Sequence, residues 1–213
     1  MKKIIVFVSQ KGGVGKSTFA RAVAVVFKKA GYSVKVADMD TQQTTCVDWH
    51  KRRKSNAVEP LLDHIVSCRT VEEALADQED YDIVILDGAP RGSRLTLEIC
   101  ALADLVVQAS GAGRDDLDPA VLLFHELAAK GIDKSKMYLA LCRVGTKAEE
   151  AGASDYIQRG GYNTVAGALF EKACYRQAQN EGKTILETSF KTANQSGAVV
   201  IQNLMNIFFD TTK

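Results

Sequence analysis

Nine residues near the start of the chain carry the strongest chemical signal: Gln10-Lys11-Gly12-Gly13-Val14-Gly15-Lys16-Ser17-Thr18. An apolar run, Ile4–Val8, precedes them, and a helical pattern follows. Strand, glycine-rich loop and helix in that order build a cradle for phosphate. Glycine is required because a Cβ would keep backbone N–H groups from turning toward phosphate oxygens. Lys16 is spaced to reach the β- and γ-phosphates of a nucleotide, and the Ser17 hydroxyl to ligate magnesium. An ordinary loop of this kind has glycine where this chain has Gln10. This one also carries a second lysine, Lys11, ahead of the paired glycines.

Two acidic segments complete the chemistry. Asp38-Met39-Asp40 closes the second apolar run, and residues two apart leave an extended chain on the same side. One aspartate at that strand end can face magnesium and the water near the γ-phosphate, and Asp40 is the better placed. The plainer role for the pair is capping the next helix. Tyr81–Gly88 is an apolar strand ending in Asp87, the residue type that supports Mg²⁺ through a water. Gly88-Ala89-Pro90 then forms a loop that senses the γ-phosphate or simply turns.

These residues need a scaffold, and the rest of the chain supplies its pattern. Strands are expected at 3–8, 33–37, 62–66, 82–86, 105–108, 137–141 and 164–169. Helices are expected at 16–30, 44–54, 71–78, 95–102, 119–130, 148–159, 171–180 and 193–209, with Gly31 closing the first and Pro119 in the first turn of the fifth. Near-continuous apolar strands are covered on both faces. The alternation predicts an α/β fold: three layers, doubly wound, a mainly parallel sheet flanked by helices, as one domain over residues 1–213. Ligands in such sheets sit at the carboxyl ends of the strands.

Composition narrows the classes. A net charge of +1 excludes strong global steering to nucleic acid, though not a local basic patch. No secretory signal or bilayer-length apolar run is present, and the expected location is cytoplasmic. The five cysteines are scattered without a C-x-x-C pair, which disfavours zinc and iron–sulfur sites.

Taken together, Gln10–Thr18, Asp38/Asp40 and the Asp87 strand resemble the deviant Walker ATPases, the ParA/MinD superfamily. Within it the chain is similar to small ParA-type partition ATPases without an N-terminal DNA-binding extension. Thr41 stands where that family usually has proline, while Gln42 and Trp49 keep its pattern. Asp87-Gly88-Ala89, Leu117-Asp118, Tyr175–Ala178 and Gly182–Glu187 also fit. The resemblance implies ATP and Mg²⁺ as cofactors, bound by Lys11, Gly12, Gly13, Val14, Gly15, Lys16, Ser17 and Thr18. Lys11 reaches across an ATP-bound homodimer to the partner's nucleotide. Lys16 holds phosphates in cis, Ser17 ligates Mg²⁺ and Thr18 contacts the α-phosphate. Asp40 positions the attacking water and Asp87 supports the metal. Arg143 lies where relatives recognise adenine.

The same resemblance implies nonspecific DNA, a small centromere-binding ParB-like protein and a nucleoid-associated location. Phosphate contacts alone suffice for such DNA binding. Candidate contacts are Lys172, Arg176, Lys183 and Lys191, with Lys51-Arg52-Arg53-Lys54 read first as a solvated helix end. Competing readings are a positioning ATPase for a protein cargo, a membrane-associated MinD-like regulator and a metabolic ligase. The last helical segment has Val200, Ile201, Leu204, Ile207 and Phe208 on one face. Its polar face has no cation before Lys213. That pattern fits core packing better than a membrane surface.

Overall fold

A computed structural model describes residues 3–89 and 94–211. Strands and helices alternate as β1 (Lys3–Val8), α1 (Lys16–Lys29), β2 (Val34–Asp38), α2 (Thr45–Ser55), β3 (His64–Ser67), α3 (Val71–Leu75), β4 (Ile83–Asp87) and α4 (Arg94–Leu102). There follow β5 (Leu105–Ser110), α5 (Arg114–Ala129), β6 (Met137–Val144), α6 (Lys147–Arg159), β7 (Asn163–Phe170), α7 (Ala173–Asn180) and α8 (Lys191–Thr211). All seven strands are parallel, in the order β3-β2-β4-β1-β5-β6-β7.

Strand periodicity divides the core into two layers. In β1, Ile5 and Phe7 join Phe19, Phe27, Trp49 and Phe208 on the face covered by α1, α2 and α8. Ile4, Val6 and Val8 join Ile99, Phe124 and Ile157 on the face covered by α4, α5 and α6. The apolar side of α8 belongs to this core: Val200, Ile201, Leu204 and Phe208 are buried. Among the described residues no helix is long and apolar enough to cross a membrane.

The helix that carries the glycine-rich loop ends where expected. Gly31 takes φ +92°, and Tyr32 N–H returns to Phe27 O at 3.2 Å. Several boundaries differ from expectation. β3 starts at His64 rather than residue 62, and α3 is a single short helix followed by a 3₁₀ turn at Gln78–Asp80. α5 begins at Arg114, so Pro119 sits in its second turn rather than its first. The helix is already nucleated ahead of the proline, because Leu117 N–H bonds Gly113 O at 2.9 Å.

Candidate nucleotide site

The carboxyl ends of β1, β2, β4 and β6 converge on one cleft. α1 starts at its floor without a side-chain cap, so its first-turn N–H groups lack intrahelical acceptors and face the loop. Gly13 and Gly15 hold φ values of +79° and +103°. A Cβ on Gly15 would run into Cys142 Sγ, while none of the surrounding atoms would obstruct one on Gly12. Two glycines are therefore needed for shape, and the third keeps the approach open. Val14 is buried and anchors the loop in the core.

The inner wall is a compact polar brace. Lys16 Nζ lies 2.8 Å from Asp87 Oδ1, and both are buried. Cys46 Sγ donates to the other Asp87 oxygen at 3.0 Å. Asp38 accepts the N–H of Cys46 at 2.7 Å and of Asp40 at 3.2 Å. Burial, then the Asp87 charge, raises the Asp38 carboxyl above its ordinary value. The Cys46 thiol is pushed far up by burial. Asp38 thus serves as a remote cap for α2. Asp40 instead lines the open cleft beside Lys16 and Ser17, where it accepts Gln43 N–H at 3.1 Å.

The fit to a magnesium nucleotide rests on this set. Ser17 Oγ and Thr45 Oγ1 stand 3.5 Å apart on α1 and α2, with Asp40 in the same cleft. Hard oxygen donors suit magnesium. Asp87 faces Lys16 and Cys46, one step behind them. Thr18 Oγ1 donates to Gln179 Oε1 at 3.1 Å.

A second lobe continues from the loop toward β6 and α7, lined by Arg143, Leu169, Tyr175, Arg176 and Ile185. Arg143 donates to Gly13 O at 2.8 Å and to Glu171 at 3.2 Å. Arg176 pairs with the same Glu171. Lys11 lies on the opposite rim, half-exposed, with Nζ 3.1 Å from Asp116 Oδ1 at the start of α5.

The expected DNA contacts fall on different elements. Lys172 and Arg176 line the second lobe of the cleft. Lys183 binds Glu181 at 2.7 Å, and Lys191 is exposed at the first turn of α8. Arg53 departs from the solvated-run reading: it is fully buried and held by Glu187 at 2.8 Å. Its guanidinium lies over the Trp49 ring, Cζ 5.3 Å from the centroid, and of the run 51–54 only Lys51, Arg52 and Lys54 reach solvent. Pro90 lies outside the described residues; Gly88 N–H bonds Phe7 O at 2.9 Å.

Sequence reasoning missed Arg21, Gln179, Thr45 and Asp116. Only Arg21 carried a signal, as it stands four residues after Ser17 and so on the same helix face.

Residues 5–200 match the CobQ/CobB/MinD/ParA nucleotide binding domain. The chain belongs to this family. Solved structures with the same fold include a ParA family ATPase from Chlorobium tepidum, at 18% identity and TM-score 0.73, covering 96% of this chain and 99% of that one. An McdA–ATP complex from Cyanothece is similar at 17% identity and TM-score 0.71, with 96% of each chain covered. MinD complexed with Mg-ADP from Pyrococcus horikoshii aligns at 16% identity and TM-score 0.71, again over 96% of each. No curated protein matches the sequence significantly.

Proposed function

We propose that this family member is a ParA-type partition ATPase, a nucleotide switch that dimerises on ATP and binds DNA without sequence preference. The observation that carries the reading is the placement of its two loop lysines. Lys16 is buried inside the cleft, while Lys11 stands half-exposed on the outer rim, held by Asp116 alone among the described residues. A lysine placed there is free to serve a second protomer facing this one. Trading the Asp116 carboxylate for a partner's phosphates makes the nucleotide part of the interface.

Bound Mg-ATP supplies the phosphoryl group and a divalent charge that offsets its negative oxygens. Lys16 would exchange Asp87 for phosphate oxygens, and Asp87 would then be free to help hold the metal. Ser17 supplies a metal ligand. Asp40, at the cleft wall, accepts a hydrogen bond from the attacking water and orients it. Lys11 adds positive charge at the transferring group from the other protomer. Thr18 and Arg143 hold the nucleotide at its α-phosphate and base ends.

For DNA, the segment bearing Lys183 packs against α2: Trp49 Nε1 donates to Lys183 O at 3.0 Å, and Arg53 Nη1 to Gly182 O at 3.0 Å. The exposed Lys51, Arg52 and Lys54 thereby lie near Lys183, giving a basic surface that dimerisation doubles. Hydrolysis stimulated by a small centromere-binding protein resets the switch.

The test is binding to random-sequence duplex DNA with ATP, ADP or neither, in parent and Lys11→Ala. ATP-specific, salt-sensitive binding that the variant loses is expected. ATP-dependent dimerisation without DNA binding would replace DNA with a protein or membrane matrix.

A further inference from the structure

The cleft contains a cation that the roles above leave unused. Arg21 is 6% exposed and lines the same cavity as Lys16, Ser17, Asp40 and Thr45. Helical side chains point back toward the N-terminus, and this one runs up α1 toward the glycine-rich loop. Its Nη1 donates to Gln179 Oε1 at 3.2 Å, the same oxygen that takes the Thr18 hydroxyl. Its Nη2 donates to Thr45 O at 2.6 Å. Both acceptors are neutral.

Among the described residues Arg21 has no salt-bridge partner, and its buried Nε has no hydrogen-bond acceptor. Burying a charge is costly unless a counter-charge and hydrogen bonds offset it. Arg53 shows how this chain balances a buried arginine elsewhere: Glu187 receives both of its terminal nitrogens, at 2.8 and 3.0 Å. Arg21 lies in a cleft built for an anion, with its fork aimed there and an N–H to spare. A guanidinium matches phosphate geometry with two parallel donors.

We propose that Arg21 is a phosphate-binding residue of this site, its anionic partner being the α- and β-phosphate end of a nucleoside diphosphate or triphosphate. The inference rests on the nucleotide reading above. Gln179 and Thr18 set the position: the Thr18 hydroxyl and Arg21 Nη1 donate to the same Gln179 oxygen, and Thr18 stands in the first turn of α1, past the γ-phosphate lysines. Arg21 therefore contributes to ADP and ATP alike, whereas Lys11 acts on ATP alone. Interactions made equally in both ligands change affinity without changing discrimination.

The experiment compares Mg-ADP and Mg-ATP affinities in the parent, Arg21→Gln and Arg21→Lys, with unfolding midpoints measured without nucleotide. Arg21→Gln is expected to weaken both nucleotides by the same factor, about tenfold or more, as befits a lost charge-assisted hydrogen bond. Its nucleotide-free midpoint should hold or rise, because an unbalanced buried charge is gone. ADP affinity within about threefold of the parent, with a lowered midpoint, would overturn the proposal and make Arg21 a brace for α2. If Arg21→Gln does not fold, Arg21→Lys decides: a lysine keeps the charge but not the fork, so both nucleotides should weaken alike by about threefold or more, and unchanged affinity for both would refute bidentate phosphate binding. The sole tryptophan gives a second readout. Arg21 lies 5.6 Å from the Trp49 ring centroid, so ADP should change Trp49 emission in the parent. Emission that stays constant as ADP binds would count against any movement of the guanidinium. A parent that binds no nucleotide at all would instead overturn the proposed function.

Discussion

Replacing Glu187 by glutamine should remove a pH-dependent share of the stability. Its carboxylate receives two nitrogens of buried Arg53, the N–H and hydroxyl of Thr184 at 2.9 and 3.0 Å, and Lys29 Nζ at 2.9 Å. Burial pushes the carboxyl up, but the Arg53, Thr184 and Lys29 donors outweigh it and bring the pKa from 4.5 to about 2. A folded-state pKa below the unfolded one contributes stability above pH 4.5 and loses it as pH falls toward 2. At about 1.36 kcal/mol per pH unit the ceiling is about 3 kcal/mol, and residual contact with water reduces the expectation to about 2 kcal/mol. Urea unfolding followed by Trp49 fluorescence at pH 7, 5 and 3 measures it. The gap between parent and E187Q should be largest at pH 7, including part of the cost of leaving Arg53 without its anion. It should shrink by more than half between pH 5 and 3. Other carboxylates titrate in both proteins and cancel. A gap that stays constant with pH, or is below about 1 kcal/mol at pH 7, would refute the assignment of a charged Glu187–Arg53 brace.

Other outcomes follow from the same geometry. Lys16→Ala strands buried Asp87 without its cation, so it should lower stability by about 3 kcal/mol and abolish nucleotide binding; calorimetric unfolding and ADP titration check both. Gly15→Ala forces a side chain onto Cys142 at φ +103° and should cost at least about 1 kcal/mol while weakening ADP, whereas Gly12→Ala should cost far less stability in the same thermal assay. Iodoacetamide at pH 7.5 should label Cys174 first, as read by peptide mass. Cys100 and Cys142 are protected because burial lifts each thiol to about 12, and Cys174 alone of the five is not buried.

Much of this architecture was legible because it rests on local pattern. The apolar runs that became β1, β4 and β5 are strands buried on both faces, and Gly31 ends α1 through a backbone conformation few residues adopt. The strand–loop–helix over residues 3–29 was legible because the turn at Gly13 and Gly15 and the start of α1 at Lys16 are set by consecutive positions. What the sequence hid depends on distant partners. Arg53 reads as part of a charged run until Glu187, 134 residues later, is folded against it. Lys172 and Arg176 read as surface cations, and only the fold places them in one cavity wall with Cys142 and Arg143 of β6. Pro119 misled for a different reason: the rule that favours proline in a first turn does not forbid it where a turn has already formed.

The strand order has a consequence for synthesis. β1 is made first, yet its neighbours in the sheet are β4 and β5, so Ile5 pairs with Ile85 and Leu105. A ribosome adding about 5–20 residues per second needs roughly 5–20 s to deliver the second of those partners after the first strand has emerged. During that interval Ile4–Val8 is an apolar strand with both edges open, the kind of segment that pairs with a neighbouring chain. The glycine-rich loop is attached to its end. The β1 side of the cleft therefore cannot take shape until β5 is out, and chaperone dependence of the nascent chain should fall once Ser110 clears the exit tunnel.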